Sequence, residues 1–65
     1  MDGFLERLLK ETEELEEKLT KLNTFNESEK VNTIEPIQHS LLKIQAGAMY
    51  TYLECLKERI AYLTK

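Results

Sequence analysis

Two stretches of the chain place hydrophobic residues at the spacing of an α-helix. In the first, leucines and one threonine alternate at intervals of three and four residues, which is the heptad repeat of a helix packed along a partner helix. These positions are Leu5, Leu8, Thr12, Leu15, Leu19 and Leu22. The pattern predicts a helix over residues 3–22, with Asp2 as its N-cap. Thr12 is the polar position of this seam, either simply tolerated or setting the register.

A segment rich in turn-forming residues follows. The stretch Asn23–Asn26 predicts that the first helix ends near Asn23. Asn26 and Glu29 resemble a capping box, which predicts a short helical turn over Glu27–Asn32 within a connection of residues 23–35. Its apolar residues are expected to close this end of the fold: Phe25, Val31 and Ile34. The alternative is a mobile loop held by apolar anchors.

The second helix is predicted over residues 36–63. Pro36 suits the first helical position because its missing N–H costs nothing there, and Glu35 is then the N-cap. One apolar stripe consists of Leu41, Ala48 and Cys55, extended by Gln38, Gln45 and Tyr52. A second consists of Leu42, Met49, Leu53, Leu56, Ile60 and Leu63. Together they cover more of the circumference than one partner helix buries.

The fold class predicted is therefore all-α. Residues 1–65 form a single helical-hairpin domain that assembles into a symmetric helical-bundle oligomer, even-numbered and at least a dimer. A chain of 65 residues buries a small core, and its single Cys55 and single His39 rule out an intrachain disulfide and a Cys/His metal cluster within one chain. A partner subunit remains as the stabiliser.

The window Pro36–Leu53 locates the expected interface. It holds one formal charge, Lys43, in 18 residues, whereas a water-exposed helix would normally carry more. Gly47 costs about 1 kcal/mol relative to alanine in a helix interior, so close approach of another helix or of a ligand would explain it. The predicted interface residues are Leu41, Leu42, Gly47, Ala48, Met49, Leu53, Leu56 and Ile60.

Polar side chains in and beside this window are candidate ligand contacts. Gln38, Gln45, Tyr52 and Arg59 recur every seven residues and line one edge of a helix face, and Lys43 adds a cation. Glutamine supplies a donor and an acceptor, tyrosine a stacking face, and arginine a fork for phosphate. In the alternative interpretation the glutamines fix oligomer register, Tyr52 is core and Arg59 pairs with a glutamate.

Several function classes are disfavoured. The net charge of −3 lacks the basic footprint of a DNA or RNA binder. No apolar run reaches the length of a membrane span and no signal peptide begins the chain, so a cytoplasmic location is expected. No nucleophile motif or glycine-rich phosphate loop occurs. Cys55 is expected to be a packing residue, and His39 to be a solvated or helix-terminal one. The protein is therefore not expected to be an enzyme, and no cofactor is expected.

The second half resembles small bacteriophage proteins that share the pattern F-x-x-S…L…Q-x-x-L-L-x-x-Q-x-x-A-M-x-x-Y-x-x-x-L-x-x-R-I. The matching residues are Phe25, Ser28, Ile34 (in place of leucine), Gln38, Leu41, Leu42, Gln45, Ala48, Met49, Tyr52, Leu56, Arg59 and Ile60. The pair Glu35-Pro36 departs from the pattern at the helix start. In layout the hairpin is similar to phage helical sponges that sequester the cyclic nucleotide signals of CBASS and Thoeris immunity, from which no site residue is carried over.

Two functions follow as hypotheses. The resemblance and the polar row imply a phage anti-defence protein that sequesters a host cyclic nucleotide without catalysis. The alternative is a helical protein-interaction module or inhibitor of a host defence protein, in which the acidic run Glu11–Glu17 mimics phosphate or an apolar face docks on the host protein.

Overall fold

The computed structural model describes residues 3–65. It consists of helix α1 (Gly3–Asn26), a short 3₁₀ helix (Glu29–Thr33) and helix α2 (Pro36–Leu63). The two long helices pack against each other along an elongated body of 46 × 14 × 13 Å. The predicted all-helical hairpin is thus confirmed for one chain. The predicted N-cap, Asp2, lies outside the described residues.

The heptad seam of α1 forms its side of the core. Leu8 and Leu19 are buried, Leu5, Leu15 and Leu22 are half-buried, and Thr12 is buried between them. The hydroxyl of Thr12 donates to the carbonyl oxygen of Leu8 one turn earlier, at 2.8 Å. Because this bond stays within α1, the polar position is satisfied locally and does not fix the register of the two helices.

Helix α2 turns the second of its predicted stripes toward α1. Leu53 and Leu56 are buried there, and Leu56 has no accessible surface. The half-buried positions on the same face extend the stripe in both directions: His39, Leu42, Ala46, Met49 and Ile60. Alternating three- and four-residue intervals therefore run from His39 to Ile60, matching the repeat of α1. Leu63 is the exception, since it is exposed.

The prediction that α1 ends near Asn23 is wrong by one turn. Asparagine and threonine favour turns, but here Thr24 and Asn26 both belong to α1 and make hydrogen bonds that are compatible with the helix. The hydroxyl of Thr24 donates to the carbonyl of Thr20 at 2.9 Å, and Asn26 falls at the next heptad position after Leu22. The side-chain amide of Asn26 donates to the Leu42 carbonyl of α2 at 3.4 Å. This contact between the helices favours the extra turn over a loop.

The capping box predicted for Asn26 and Glu29 does not form, and another residue caps the short helix. Ser28 is the N-cap of the 3₁₀ helix: its hydroxyl accepts from the Lys30 amide at 3.2 Å and donates to the Phe25 carbonyl at 2.8 Å. Asn26 is unavailable as a cap because it belongs to α1. The connection is therefore structured. Its apolar side chains Val31 and Ile34 are half-buried, as is Phe25 at the end of α1.

Helix α2 begins as its proline predicts. Glu35 is the N-cap, makes no side-chain capping bond, and is followed by Pro36 in the first turn. With 24 residues in α1 and 28 in α2, the two helices differ in length by about one turn. Neither helix of the described range combines the length and hydropathy that a bilayer crossing requires.

Candidate ligand-binding surface

The predicted polar row lies exposed along one edge of α2. Gln38, Gln45, Tyr52 and Arg59 are all solvent-accessible. Positions seven residues apart drift by only about 20° per interval, so the four side chains remain on one edge over three heptads. Gln45 also contacts its neighbour of the next turn, with its amide 3.9 Å from the sulfur of Met49. The row is therefore a continuous polar strip beside the α1–α2 seam.

Tyr52 joins this strip to α1. Its hydroxyl donates a hydrogen bond to a carboxylate oxygen of Glu11, 41 residues away in sequence. The hydrogen bond to the anionic carboxylate, aided by partial desolvation, raises the pKa of Tyr52 above its ordinary value of 10.0. The positive charge of Arg59, one heptad further along α2, lowers the pKa of Tyr52 and so opposes this shift. Within the single chain Tyr52 is exposed and is not part of the core between α1 and α2.

Arg59 lies in an open groove at the end of the hairpin where the first turn of α1 meets the last turns of α2. The groove measures about 640 Å³, within the usual size of a small-molecule site. Its lining is largely apolar: Phe4, Cys55, Glu58, Arg59, Tyr62 and Leu63. The ion pairs in the described residues involve Lys57, which bridges Glu16 at 3.6 Å and Glu54 at 3.7 Å, and not Arg59. The guanidinium is thus available to an anionic ligand.

Two aromatic rings and a second cation accompany Arg59. Phe4 and Tyr62 are both exposed in the groove. The ammonium of Lys65 lies 4.5 Å from the centroid of the Tyr62 ring, a cation–π distance. Aromatic faces with nearby cations are suited to a planar, anionic molecule such as a nucleotide. Sequence reasoning missed Phe4 and Tyr62 as site residues, because only the fold brings the two ends of the chain together.

Lys43 does not belong to this surface. It is exposed, but it lies two residues before Gln45, which places it about 200° around the helix, on the opposite edge. Among the candidate ligand contacts predicted from the sequence, the fold therefore unites the other four and separates Lys43 from them.

The predicted oligomer-interface residues divide between two faces of α2. Leu42, Met49, Leu53, Leu56 and Ile60 pack toward α1 within the same chain. Leu41, Gly47 and Ala48 are exposed on the far side. A Cβ atom built on Gly47 would meet nothing within 4 Å, so the hairpin itself gives no reason for this glycine. Ile37 and Ile44, which the sequence reasoning did not single out, are exposed on the same far side.

The single histidine and the single cysteine lie on different faces of α2. His39 lies in the first turn of α2, which is the helix-terminal alternative of its prediction. It is half-buried on the face toward α1, and its buried Nε2 has no hydrogen-bond partner among residues 3–65. Cys55 lines the groove and has no packing role within the single chain, where it is exposed. Within the described part of the chain, no cluster of histidine, cysteine and carboxylate side chains is placed to hold a metal ion.

Comparison with known proteins identifies the family. No solved structure matches the chain. An uncharacterized 7.5 kDa protein of the denB–rIIB intergenic region of Enterobacteria phage T4 is 36% identical over 61 residues, covering 94% of this chain and 95% of the relative. The family model described as Sequestin matches residues 2–62. These matches extend over nearly the whole length of both helices, so the chain belongs to the Sequestin family.

Proposed function

We propose that this protein sequesters a small anionic ligand, of the cyclic nucleotide class, without transforming it. The family's name, Sequestin, points to sequestration of a molecule. The chemistry of the exposed surface supports a nucleotide as that molecule, since it combines hydrogen-bonding amides, aromatic faces and an arginine. Binding without catalysis requires affinity alone, which an open groove lined by aromatic side chains and an arginine can supply.

The observation that carries the proposal is the position of Arg59. It closes the polar strip that begins at Gln38 and, at the same time, lines the apolar groove beside Phe4 and Tyr62. A phosphate bound by the guanidinium would leave a base free to stack on an aromatic ring and sugar or base edges to reach Tyr52. Lys65, over the Tyr62 ring, adds positive potential at this end.

The setting we propose is the cytoplasm of an infected cell. The T4 relative is a phage protein, and a phage gains from lowering the free concentration of a host signal that triggers immunity. A stoichiometric binder achieves this in proportion to its abundance and affinity.

Isothermal titration against a panel of cyclic di- and trinucleotides and cyclic ADP-ribose isomers tests the proposal. Arg59→Ala should weaken the best ligand by about 10- to 150-fold, because a charged hydrogen bond contributes about 1.5–3 kcal/mol. Lys43→Ala is the matched control, since it removes the same charge from the opposite edge of α2 and should leave affinity unchanged. Absence of heat with every member of the panel would reject the proposed function.

A protein partner is the second candidate function, favoured by one observation. The far side of α2 exposes large apolar side chains, among them Ile37, Leu41 and Ile44. A host defence protein docked on this face would make the chain an inhibitor rather than a sponge. Stoichiometric recovery of one host protein with the purified chain, together with no nucleotide binding, would favour this function.

A further inference from the structure

The side of α2 that faces away from α1 carries a second heptad seam. Its positions alternate at intervals of four and three residues over five turns of helix: Ile37, Leu41, Ile44, Ala48, Thr51 and Cys55. All of them are exposed, Ile44 to 68% and Ile37 to 61%. This spacing keeps side chains on one stripe of a helix, which is the pattern of a helix with a partner along that stripe. We call these positions the outer seam.

Helix α2 is therefore patterned for two neighbouring helices, of which the hairpin supplies one. The inner seam from His39 to Ile60 is covered by α1, whereas the outer seam has no covering element among residues 3–65. The two seams lie on opposite faces, so α1 cannot shift to cover both. An uncharged surface with this heptad repeat is more stable packed against a second helix than exposed to solvent.

The side-chain volumes of the outer seam are complementary to the same seam read in the opposite direction. Its N-terminal half is large (Ile37, Leu41 and Ile44) and its C-terminal half is small (Ala48, Thr51 and Cys55). An antiparallel pair centred between Ile44 and Ala48 sets each large residue against a small one. In a parallel pair large residues would meet large ones at one end, and small ones would leave voids at the other, which is poor packing.

The accessible surface supports an occupant of matching size. One chain exposes 5174 Å², whereas a folded monomer of 7.6 kDa is expected to expose about 4,300 Å². The excess, about 900 Å², is close to the area of about 800 Å² that each partner buries in a standard protein interface. One chain thus exposes more surface than a globular monomer of its mass, by an amount similar to one side of a standard interface.

We propose that a second copy of this chain docks antiparallel on the outer seam, and that the two polar strips then form one ligand groove. Ile44 packs on the partner's Ala48, Leu41 on the partner's Thr51, and Ile37 on the partner's Cys55. The two-fold axis is perpendicular to both helices, so it brings each edge of α2 beside the same edge of its partner.

The second part of the inference rests on the proposed function. Gln38, Gln45 and Tyr52 flank the outer seam on one edge, so the antiparallel pair places both strips in a single two-fold symmetric groove. Gln45 lies within one residue of the centre of the pair, so both copies of Gln45 lie at the axis. Each end of this groove carries one Arg59, 13 residues or about 20 Å of helix from the centre, so the dimer offers two equivalent anion sites related by the two-fold axis.

Solution mass without any nucleotide tests the docking. Wild-type protein at tens of micromolar should have an even multiple of the 7.6 kDa chain mass by light scattering. Leu41→Glu should give the single-chain mass with helicity retained by circular dichroism. Leu9→Glu is the matched control, because Leu9 on α1 is 48% exposed against 49% for Leu41, and should keep the wild-type mass. A monomeric wild type, or the same mass for both variants, would overturn the docking.

Oxidative cross-linking tests the antiparallel arrangement. Ile37→Cys treated with diamide should give a covalent dimer through Cys55 of the partner subunit, because 18 residues of helix, about 27 Å, exclude a bond within one chain. Wild-type protein, with Cys55 alone, should remain uncrosslinked, and a wild-type dimer formed as readily would mean a parallel pair. A doubled mass with no nucleotide bound would reject the proposed function and leave the docking standing.

Discussion

Tyr52 of α2 donates its hydroxyl hydrogen to the carboxylate of Glu11 on α1, linking the ligand-facing edge of one helix to the acidic face of the other. Glu11 opens the acidic run Glu11–Glu17, which the sequence predicts to be either a solvated face or a phosphate mimic. The first residue of this run also orients a side chain of the candidate site. The contact holds Tyr52 at the helix edge, where it remains accessible to a ligand.

The first prediction concerns the titration of Tyr52. Its folded-state pKa is raised above 10.0, so the native state holds this proton more tightly than the unfolded state does. The associated stability is fully present below pH 10 and is lost as pH rises through the folded-state pKa. Ultraviolet titration of tyrosinate should show one tyrosine ionising later than the others. Glu11→Gln should move that ionisation to lower pH, while Glu13→Gln, on the same helix, should not.

The second prediction concerns the core. Leu56→Ala should lower the free energy of unfolding by about 2–5 kcal/mol, because Leu56 is completely buried and its truncation leaves a cavity. Leu63→Ala, in the same helix at an exposed position, should change it by less than about 0.5 kcal/mol. Urea denaturation followed at 222 nm and fixed protein concentration measures both. Equal effects would mean that Leu63 is covered in the folded protein.

The third prediction concerns Gly47. Because a Cβ atom at this residue would have no neighbour within 4 Å, Gly47→Ala should raise the free energy of unfolding by about 0.5–1 kcal/mol through its lower backbone entropy when unfolded. Ser40→Ala, another exposed position of α2, should give a smaller gain. Loss of stability or of assembly in Gly47→Ala would show that another chain or a ligand approaches the backbone there, which Gly47→Leu should then disrupt more severely.

The sequence alone determined the two helices and the start of the second. The leucine heptads specify which face of α1 is buried, and Pro36 specifies where α2 begins, because these signals are local and act through backbone geometry and periodicity. The connection was harder to predict. Asn26 is a turn former in isolation, yet a contact with the carbonyl of Leu42 retains it in α1.

Only the tertiary structure decided how the two stripes of α2 are used. Periodicity shows that both exist, but either could have faced α1. In the folded chain Leu53 and Leu56 pack in the core between α1 and α2, whereas Leu41 and Ala48 are exposed. The same packing separated Lys43 from the polar strip and brought Phe4 to the groove with Arg59 and Tyr62. Residues from opposite ends of the chain meet there because antiparallel helices bring the start of one beside the end of the other, a relationship no local pattern encodes.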